Sequence, residues 1–450
     1  MNSINNNINS IKSNSNKVLY KDNSTLQYKK NINLDYIFCF LKNFDISSAV
    51  WVLYMVYKGL PLWQIGIVEG IFHVCSFLFE VPSGAVADLF GRKNTIIAGR
   101  ILSIVSAVIN LFAHNIFIFS LSFAISALSY NLNSGSEEAL VYDSLKEINN
   151  EDKYIKVNSR LNMIIEVAQS LGTFAGGILA EHSYTLCYAA VIFISLISLI
   201  PAILFTEPSI AHNNTLNHHE HIDSSSLNTK LTINKTNINE QKNTMIFFLD
   251  KFICMFKNSL FGMHFKTCIK IIKSNVEIIK VLVYFPVIET FNTVVYFYGQ
   301  QYFSILGFNK IEISMIMLFS GILCCLGALV SEKVILIFQN KAKYIASLLM
   351  AVSIIILSMH NIVLSILFFG IMNFSDSILY PIQSTSLNEL IPSNQRATII
   401  SISSMIFSLS MIIFFPLCGL IADIFNLHFT FMILGVTQLL LIGFLAKTIK

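Results

Sequence analysis

Residues 80–93 read Glu80-Val-Pro-Ser-Gly84-Ala-Val-Ala-Asp88-Leu-Phe-Gly91-Arg92-Lys93, a charged turn with two glycines between two long apolar runs. The runs cover residues 63–88 and 94–114, and each reaches the about 20 apolar residues that a helix needs to cross a hydrocarbon core of about 30 Å. Gly91 has no Cβ, so the chain can turn tightly at that position. The stretch therefore predicts two membrane-spanning helices that meet at one membrane surface.

The composition of the whole chain predicts an all-α membrane protein. Of 450 residues, 54% are hydrophobic and 12% are charged, whereas soluble proteins carry about 25% charged residues. The apolar runs lack the alternation typical of membrane β-strands, which leaves helices as the spanning elements. Twelve runs are long enough, near residues 34–58, 63–88, 94–114, 116–141, 158–181, 184–205, 279–304, 311–331, 344–360, 361–386, 397–422 and 427–446.

The positions of lysine and arginine predict the orientation. Of the 30 Lys and Arg residues, 26 fall in the two termini and in alternate connections that lie on the same side as the termini. Only Lys58 and Lys310 fall on the other side, and Lys42 and Arg100 lie within spans. Because basic residues accumulate on the cytoplasmic side, we expect both termini in the cytoplasm and the protein in the plasma membrane.

Composition also divides the chain into four parts. Residues 1–33 form an Asn/Ser/Lys-rich tail, expected to be disordered and without a cleavable signal peptide, and residues 34–208 form the first six spans. Residues 209–278 form a cytoplasmic linker, whose first part is disordered and whose second part is a basic amphipathic helix on the membrane surface. Residues 279–450 form the last six spans.

A short pattern recurs at the ends of four spans and indicates a duplicated protein. Residues 84–88 read Gly-Ala-Val-Ala-Asp, residues 177–181 read Gly-Ile-Leu-Ala-Glu and residues 419–423 read Gly-Leu-Ile-Ala-Asp. Residues 327–332 are a degenerate copy, Gly-Ala-Leu-Val-Ser-Glu. Each copy closes the middle helix of a three-helix unit, as nested inverted repeats would place it. The alternative is chance, since Gly-x-x-Ala is a common close-packing pair in membrane helices.

Residues 80–93 resemble motif A of the major facilitator superfamily, and residues 138–145 and 391–398 resemble bacterial drug-exporter-like members. The resemblance covers about residues 34–208 and 275–448 and implies two six-helix halves. It also implies a latch that forms when the carrier faces outward and breaks when it faces inward. The latch residues would be Gly84, Asp88, Gly91, Arg92, Lys93 and, as the partner of Arg92, Asp143. Leu89 stands where the family usually has a basic residue, and Arg92 and Lys93 also fit a simple positive-inside role.

Acidic residues inside spans are the first candidates for a substrate or proton site, because each costs about 2.5–3.5 kcal/mol to insert. By the resemblance, the first, fourth, seventh and tenth spans line a central cavity. These spans carry Asp45, Tyr130, Asn133, Glu137, Glu289 and Asp376. Several carboxylates near one depth are what a cation site or a proton relay requires. The alternative for each is a structural hydrogen-bonding role.

Further candidates lie on other spans. Glu69, His73 and Glu80 share one face of the second span, and Glu166 lies on the fifth. His73 alone is more often a buried, hydrogen-bonded side chain. Arg100 is expected to snorkel to the membrane surface or to pair with an acid. Residues 296–303, Tyr-Phe-Tyr-Gly-Gln-Gln-Tyr-Phe, are typical of an interfacial aromatic belt, or of an outer vestibule.

These features predict a secondary transporter of small organic molecules that works by alternating access. We expect a monomer that exports drug-like or amphipathic cations in exchange for protons, with the bilayer and a small-molecule substrate as partners and no nucleic acid. The fifth span has Gly172, Gly176 and Gly177 but no proline, so the antiporter motif of that span is half present. Proton-coupled nutrient uptake and a non-transporting receptor or scaffold remain alternatives. No enzyme motif, cofactor motif or metal-ligand spacing is present in the sequence, and the eight cysteines are scattered.

Overall fold

The computed structural model describes residues 26–208, 276–390 and 396–447, nearly all of which are helical. The first half of the chain contains seven helices: α1 (26–43), α2 (Trp51–Tyr57), α3 (Leu62–Phe90), α4 (Arg92–Phe112), α5 (Ile116–Glu147), α6 (Tyr154–His182) and α7 (Tyr184–Leu204). The second half contains six: α8 (Val276–Ile305), α9 (Lys310–Phe338), α10 (Ala342–Leu357), α11 (Ile362–Leu390), α12 (Arg396–Ile424) and α13 (Leu427–Lys447). Short 3₁₀ turns precede α6 and α10.

The helices give twelve spans in two six-span halves, which confirms the predicted fold class. In the described residues, nine helices are long and apolar enough to cross a membrane, and α10 and α13 are shorter apolar helices. The twelfth span is the first in the chain, formed by α1 and α2 together. We call the end of the bundle where α1 begins the terminal face, and the end where α2 meets α3 the far face.

The first span differs from its prediction in two respects. It was expected as one helix over residues 34–58, but α1 begins at residue 26 and the chain is not helical between residues 44 and 50. Residues 26–33, assigned to the disordered tail, are therefore helical. Asp45 lies within the break, and its Oδ1 accepts hydrogen bonds from the backbone N (2.9 Å) and Oγ (2.6 Å) of Ser47. Such a turn competes with the helical hydrogen bonds that these residues would otherwise make.

The linker can be compared with its prediction only at its end. Residues 209–275, which include the predicted disordered segment and nearly all of the predicted amphipathic helix, lie outside the described residues, as do residues 1–25. Helix α8 begins at Val276, three residues before the predicted boundary.

The two halves pack against each other toward the far face. Helix α12 runs along α3 and α9 runs along α6, while α2 contacts α8. The largest cluster of buried apolar side chains joins both halves, and its members from the first half lie toward the far face, such as Trp51 and Leu62. Two smaller clusters lie within the first half toward the terminal face and include Phe38 and Leu145. The shared core therefore closes the far end of the bundle.

Candidate functional site

A cavity of about 900 Å³ lies among the helices of the first half and reaches across to α8 and α11. Helices α1 to α7 line it, together with Phe297 and Tyr380 of the second half. Aromatic rings, serine hydroxyls and amides cover most of the wall. Seven charged side chains complete it, namely Asp35, Lys42, Asp45, Glu69, Arg100, Glu137 and Glu138.

The structure brings together half of the candidates predicted for this site. The cavity wall contains Asp45, Glu69, Tyr130, Asn133 and Glu137. The remaining five, His73, Glu80, Glu166, Glu289 and Asp376, lie outside this wall. Glu80 is half-buried near the end of α3, where its backbone carbonyl accepts a hydrogen bond from Ser83.

Lys42 and Glu137 form an ion pair on the cavity wall between α1 and α5. Both side chains are mostly buried, so the attraction between their charges is screened less than at a protein surface. The sequence marked Lys42 only as a basic residue within a span. The sequence could have indicated this pair, because a lysine in the middle of an apolar run needs an acidic partner on a neighbouring helix.

Arg100 is also buried on this wall, with 5% of its surface exposed. Its Nε donates a hydrogen bond of 2.9 Å to Ser198 Oγ of α7, and its charge interacts with that of Glu137. The expectation that Arg100 snorkels to the membrane surface is wrong, because its side chain turns inward between α4 and α7. The alternative expectation, an acid nearby, agrees with its position.

The break in the first span lies against two glycines of α6. A Cβ at Gly172 would come within 2.8 Å of the Asp45 backbone N, and a Cβ at Gly176 would overlap the carbonyl oxygen of Ile46. Only a residue without a side chain allows this approach. Asp45 itself is exposed to the cavity. The glycines that resembled half of an antiporter motif therefore support the non-helical segment that carries Asp45.

Two carboxylates of the second half form a separate acidic pair. Glu289 of α8 and Asp376 of α11 are close enough to interact electrostatically, beside Asn292. No lysine or arginine among residues 26–208, 276–390 and 396–447 forms an ion pair with either. Glu166 of α6 is exposed and lies near the Cys324 thiol of α9, at the contact between the halves.

Glu69 and His73 lie together on α3 where it meets α12. His73 Nε2 is 3.5 Å from Glu69 Oε1, one helical turn away, and the His73 ring packs edge-on to Phe407 of α12. Both side chains are about nine-tenths buried. The pair therefore connects the cavity wall, which includes Glu69, to the surface along which the two halves touch.

At the terminal face, the motif A turn is held by acidic side chains. Gly91 has φ +87°, in the left-handed region that glycine adopts readily. Arg92 Nη1 is 2.6 Å from Asp88 Oδ1, and Arg92 Nε is 3.8 Å from Asp143 Oδ2. Glu207, which sequence reasoning placed only at the end of the sixth span, accepts hydrogen bonds of 2.7 Å from the backbone N of Arg92 and of Lys93. It thereby caps the positive end of α4.

The side of α3 that carries motif A is open in this structure. The Asp88 side chain is 66% exposed. No described atom lies within 4 Å of a Cβ built at Gly84, which was expected to let this helix approach a neighbour. The reason is that the shared core of the two halves lies at the far face, away from this turn.

Two other copies of the repeated pattern connect the halves at the far face. Asp423, at the end of α12, accepts hydrogen bonds from the backbone N of Leu62 (3.1 Å) and of Trp63 (2.8 Å), which begin α3. Glu181, at the end of α6, accepts one of 2.9 Å from the backbone N of Lys310, which begins α9. In both cases a carboxylate of one half caps the positive end of a helix in the other half.

The polar aromatic segment of α8 strengthens the same contact. Tyr298 is fully buried, and its hydroxyl lies 3.0 Å from the Leu62 carbonyl oxygen and 3.1 Å from that of Phe415. Gln300 bonds to the Ser48 carbonyl and to the backbone N of Val52 in the first span. In this structure, where the far face is closed, these side chains join the halves and do not form an interfacial belt. The outer vestibule stays a prediction for a state in which the far face is open.

The comparison with protein families decides the class of this molecule. The model of the Major Facilitator Superfamily matches residues 36–351 and 282–449. The chain belongs to this superfamily. Its members are transporters, and the nine long apolar helices among the described residues agree with an integral, multi-pass membrane protein.

Two curated relatives within the superfamily match parts of the chain. The uncharacterized MFS-type transporter YxaM of Bacillus subtilis (strain 168) is 28% identical over 196 residues, which are 43% of this chain and 48% of YxaM. The lysophospholipid transporter LplT of Cronobacter sakazakii (strain ATCC BAA-894) is 26% identical over 145 residues, which are 32% of this chain and 34% of LplT. The chain thus matches half or less of the length of each relative.

Solved structures of other transporters share the fold. The nucleoside transporter NupG superposes with a TM-score of 0.65 at 13% identity, covering 95% of this chain and 99% of NupG. A D-xylose-proton symporter superposes with a TM-score of 0.65 at 15% identity, covering 93% and 97% of the two chains. At such identities the likeness concerns the fold alone.

Proposed function

We propose that this superfamily member is a proton-coupled antiporter that exports amphipathic organic cations. The observation that carries the proposal is the charge balance of the cavity wall, which has five carboxylates and two basic groups. A cavity with an excess of one charge attracts ligands of the opposite charge. The wall also offers the aromatic rings of Trp51, Phe72 and Tyr130, whose faces attract cations and whose surfaces pack against apolar groups.

Protons are proposed as the coupling ion, and Glu289 and Asp376 as the groups that carry them. The two carboxylates lie near each other without a basic partner among the described residues. Neighbouring carboxylates can share one proton, because one negative charge disfavours the other. Their helices, α8 and α11, belong to the half that moves relative to the cavity wall during alternating access.

The orientation follows from the distribution of basic residues, which favours a cytoplasmic terminal face in the plasma membrane. The structure, closed at the far face, then corresponds to the carrier facing inward. In that state Arg92 keeps its ion pairs with Asp88 and Asp143, all within the first half, so these pairs are not the contact that breaks when the carrier faces inward. An exporter captures its substrate from the cytoplasm in this state. The protein is proposed to work as a monomer.

Proton-coupled uptake of a polar nutrient is the second candidate. The observation that favours it is the row of hydroxyl groups on the cavity wall, to which Ser103, Ser126 and Ser134 belong, because hydroxyls and amides suit sugars and nucleosides. NupG and the D-xylose-proton symporter, which share the fold, are named for such substrates. LplT is named for a lysophospholipid, an amphipathic molecule. A non-transporting receptor is the remaining alternative.

The test is a flux assay with the full-length protein in liposomes under an imposed pH gradient. The compounds are ethidium, uridine, xylose and a lysophospholipid. Ethidium is permanently charged, so it does not partition with pH, and its two aromatic amino groups supply N–H donors. The proposal expects ethidium to accumulate in liposomes with an acidic interior, above the level in protein-free liposomes. Movement of uridine or xylose without movement of ethidium would replace the proposal by the uptake alternative. No movement of any compound would favour the receptor.

A further inference from the structure

Resting on the proposed transport of cations, we propose that Asp35 and Glu137 form a binding site for an organic ammonium group that carries N–H donors. In this structure the ammonium of Lys42 occupies part of that site. No sequence pattern singles out Asp35, which lies on α1 just inside the predicted first span.

Asp35 is a buried carboxylate without a hydrogen-bond partner in the described part of the chain. Asp35 lines the cavity with 1% of its surface exposed, and neither of its carboxylate oxygens has a hydrogen-bond partner among the described residues. A buried carboxylate without a partner costs several times the net value of a hydrogen bond, so sequences rarely retain one without a use. Lys42 and Glu137 are close enough to interact with Asp35 electrostatically, which puts two carboxylates around one ammonium.

The unpartnered polar atoms of the cavity wall indicate which hydrogen-bonding groups a ligand would bring. The buried polar atoms on the cavity wall that lack a partner within the described chain are Asp35 Oδ1 and Oδ2, Asn133 Oδ1, Asn110 Oδ1 and the Tyr188 hydroxyl. Four of these five atoms only accept hydrogen bonds, and the hydroxyl can accept as well as donate. A ligand that satisfies acceptors must bring donors, as a primary or secondary ammonium does. A quaternary ammonium, which has no N–H group, and an organic anion do not fit this pattern.

The position of Lys42 shows that the cavity wall accepts an ammonium group beside Glu137. Lys42 bonds to Glu137 with its own ammonium, so the wall already holds the chemical group that we assign to the substrate. Residues 35 and 42 lie two turns apart on nearly the same side of α1. A substrate ammonium that enters beside Asp35 would therefore share Glu137 with Lys42 or displace it. Arg100 donates its Nε hydrogen bond to Ser198, and its charge acts on Glu137 from the side of α4.

Alternative ligands are disfavoured by the same residues. No group of three or more His, Cys, Asp or Glu side chains that could hold a metal ion is found within residues 26–208, 276–390 and 396–447. The positive charge of Lys42 beside the site also opposes a compact metal ion. An organic ammonium tolerates this neighbour better, because its charge is directed by N–H bonds toward the carboxylates.

The experiment measures binding to the full-length protein in nanodiscs by calorimetry at pH 7.5. The probes are hexylamine, hexyltrimethylammonium and hexanoate, which share the same six-carbon chain and differ in N–H donors and in charge. Wild-type protein is expected to bind hexylamine about tenfold or more tightly than hexyltrimethylammonium, in line with the value of one charge-assisted hydrogen bond. Equal affinity for the two ammonium compounds, or preference for hexanoate, would overturn the proposal.

Three variants locate the site. Asp35→Asn should weaken hexylamine binding about tenfold or more. Thermal stability should not fall, because the carboxylate has no hydrogen-bond partner to lose among the described residues. Asp152→Asn, a matched change at an exposed acid outside the cavity, should leave binding unchanged. Lys42→Met removes the competing ammonium and should tighten hexylamine binding. An unchanged affinity in Asp35→Asn, or weaker binding in Lys42→Met, would contradict the assignment.

The outcome separates this site from the proposed function. If a pH gradient drives ethidium flux but hexylamine does not bind, the antiporter proposal stands and the ammonium site is wrong. If hexylamine binds as predicted and no cation is transported, the site stands and the antiporter proposal is wrong.

Discussion

At the residue scale, Gly172 and Gly176 of α6 determine how closely the non-helical segment of the first span can approach α6. The segment around Asp45 and Ile46 lies directly on these two glycines, so that non-helical backbone reaches the cavity wall. Non-helical backbone is tolerated at membrane depth only where it is enclosed by protein or faces water. The two glycines therefore make it possible to place Asp45 in the cavity.

A methyl group at Gly176 should disturb this contact. In Gly176→Ala the new Cβ overlaps the Ile46 carbonyl oxygen, and relief of such overpacking costs about 1–3 kcal/mol. This exceeds the about 1 kcal/mol that alanine gains over glycine within a helix. We expect a lower melting temperature in detergent. Gly135→Ala is the control, since no described atom lies within 4 Å of its new Cβ, and a similar loss of stability in both variants would contradict the account.

Removal of one proposed proton carrier should separate coupling from transport. Asp376→Asn keeps the shape of the side chain but cannot gain or lose a proton at neutral pH. We expect exchange of labelled for unlabelled ethidium to persist without a gradient, whereas pH-driven accumulation falls to the level of protein-free liposomes. Asp152→Asn should behave as wild type. Undiminished pH-driven accumulation in Asp376→Asn would exclude this carboxylate as a required carrier.

The residues of the candidate site could be predicted from sequence only in part. Acidic residues in spans, such as Glu137, are visible because lipid makes them costly. Asp35 was missed because it lies near the end of a span, where a charge needs no special explanation. Glu207 was missed because its role depends on the helix start at Arg92, which lies 115 positions away in the chain. Contacts at such separations follow from the packing of helices and leave no local pattern.

At the scale of elements, helix starts capped by distant carboxylates are the recurring device. Asp423 caps α3 and Glu181 caps α9, each across the contact between the halves, whereas Glu207 caps α4 within one half. The sequence predicted that the four copies of the motif A pattern are related. It could not predict which copies cap a helix of the other half. That depends on which face of the carrier is closed.

Loss of the two far-face caps should open that face. Each cap is worth about 1 kcal/mol, so Asp423→Ala with Glu181→Ala should shift the balance between the two facing states by about 2 kcal/mol, or roughly 30-fold. Spin labels at positions 114 and 359, exposed in the far-face loops of the two halves, would report a longer distance in a cysteine-free background. Glu207→Ala, which removes a cap within one half, is the control. An unchanged distance in the double variant would contradict this role of the caps.

At this scale, the main feature that the sequence did not predict was the break in the first span. Residues 43–48, Asn-Phe-Asp-Ile-Ser-Ser, contain the short polar side chains that favour turns. Averaging over the length of a membrane span conceals such a turn, because the flanking residues are strongly apolar. The number of spans can still be predicted, because polar connections separate each apolar run from the next.

At the scale of the whole molecule, the fold was accessible from sequence and the substrate was not. Twelve apolar runs, a polar linker and repeated helix ends are global features, and the bilayer restricts them to few arrangements. Substrate choice depends on the few side chains that meet in the cavity, including Lys42, which sequence reasoning left aside. The charge balance of that wall emerged only from the structure.

The central claim, exchange of an organic cation for protons, is tested most directly by reversing the pH gradient. The full-length protein is reconstituted in liposomes, and ethidium movement is followed first with an acidic interior and then with an alkaline interior. The account predicts accumulation in the first case and expulsion of preloaded ethidium in the second, both absent from protein-free liposomes. Ethidium flux in the same direction as protons, or flux that ignores the sign of the gradient, would contradict it.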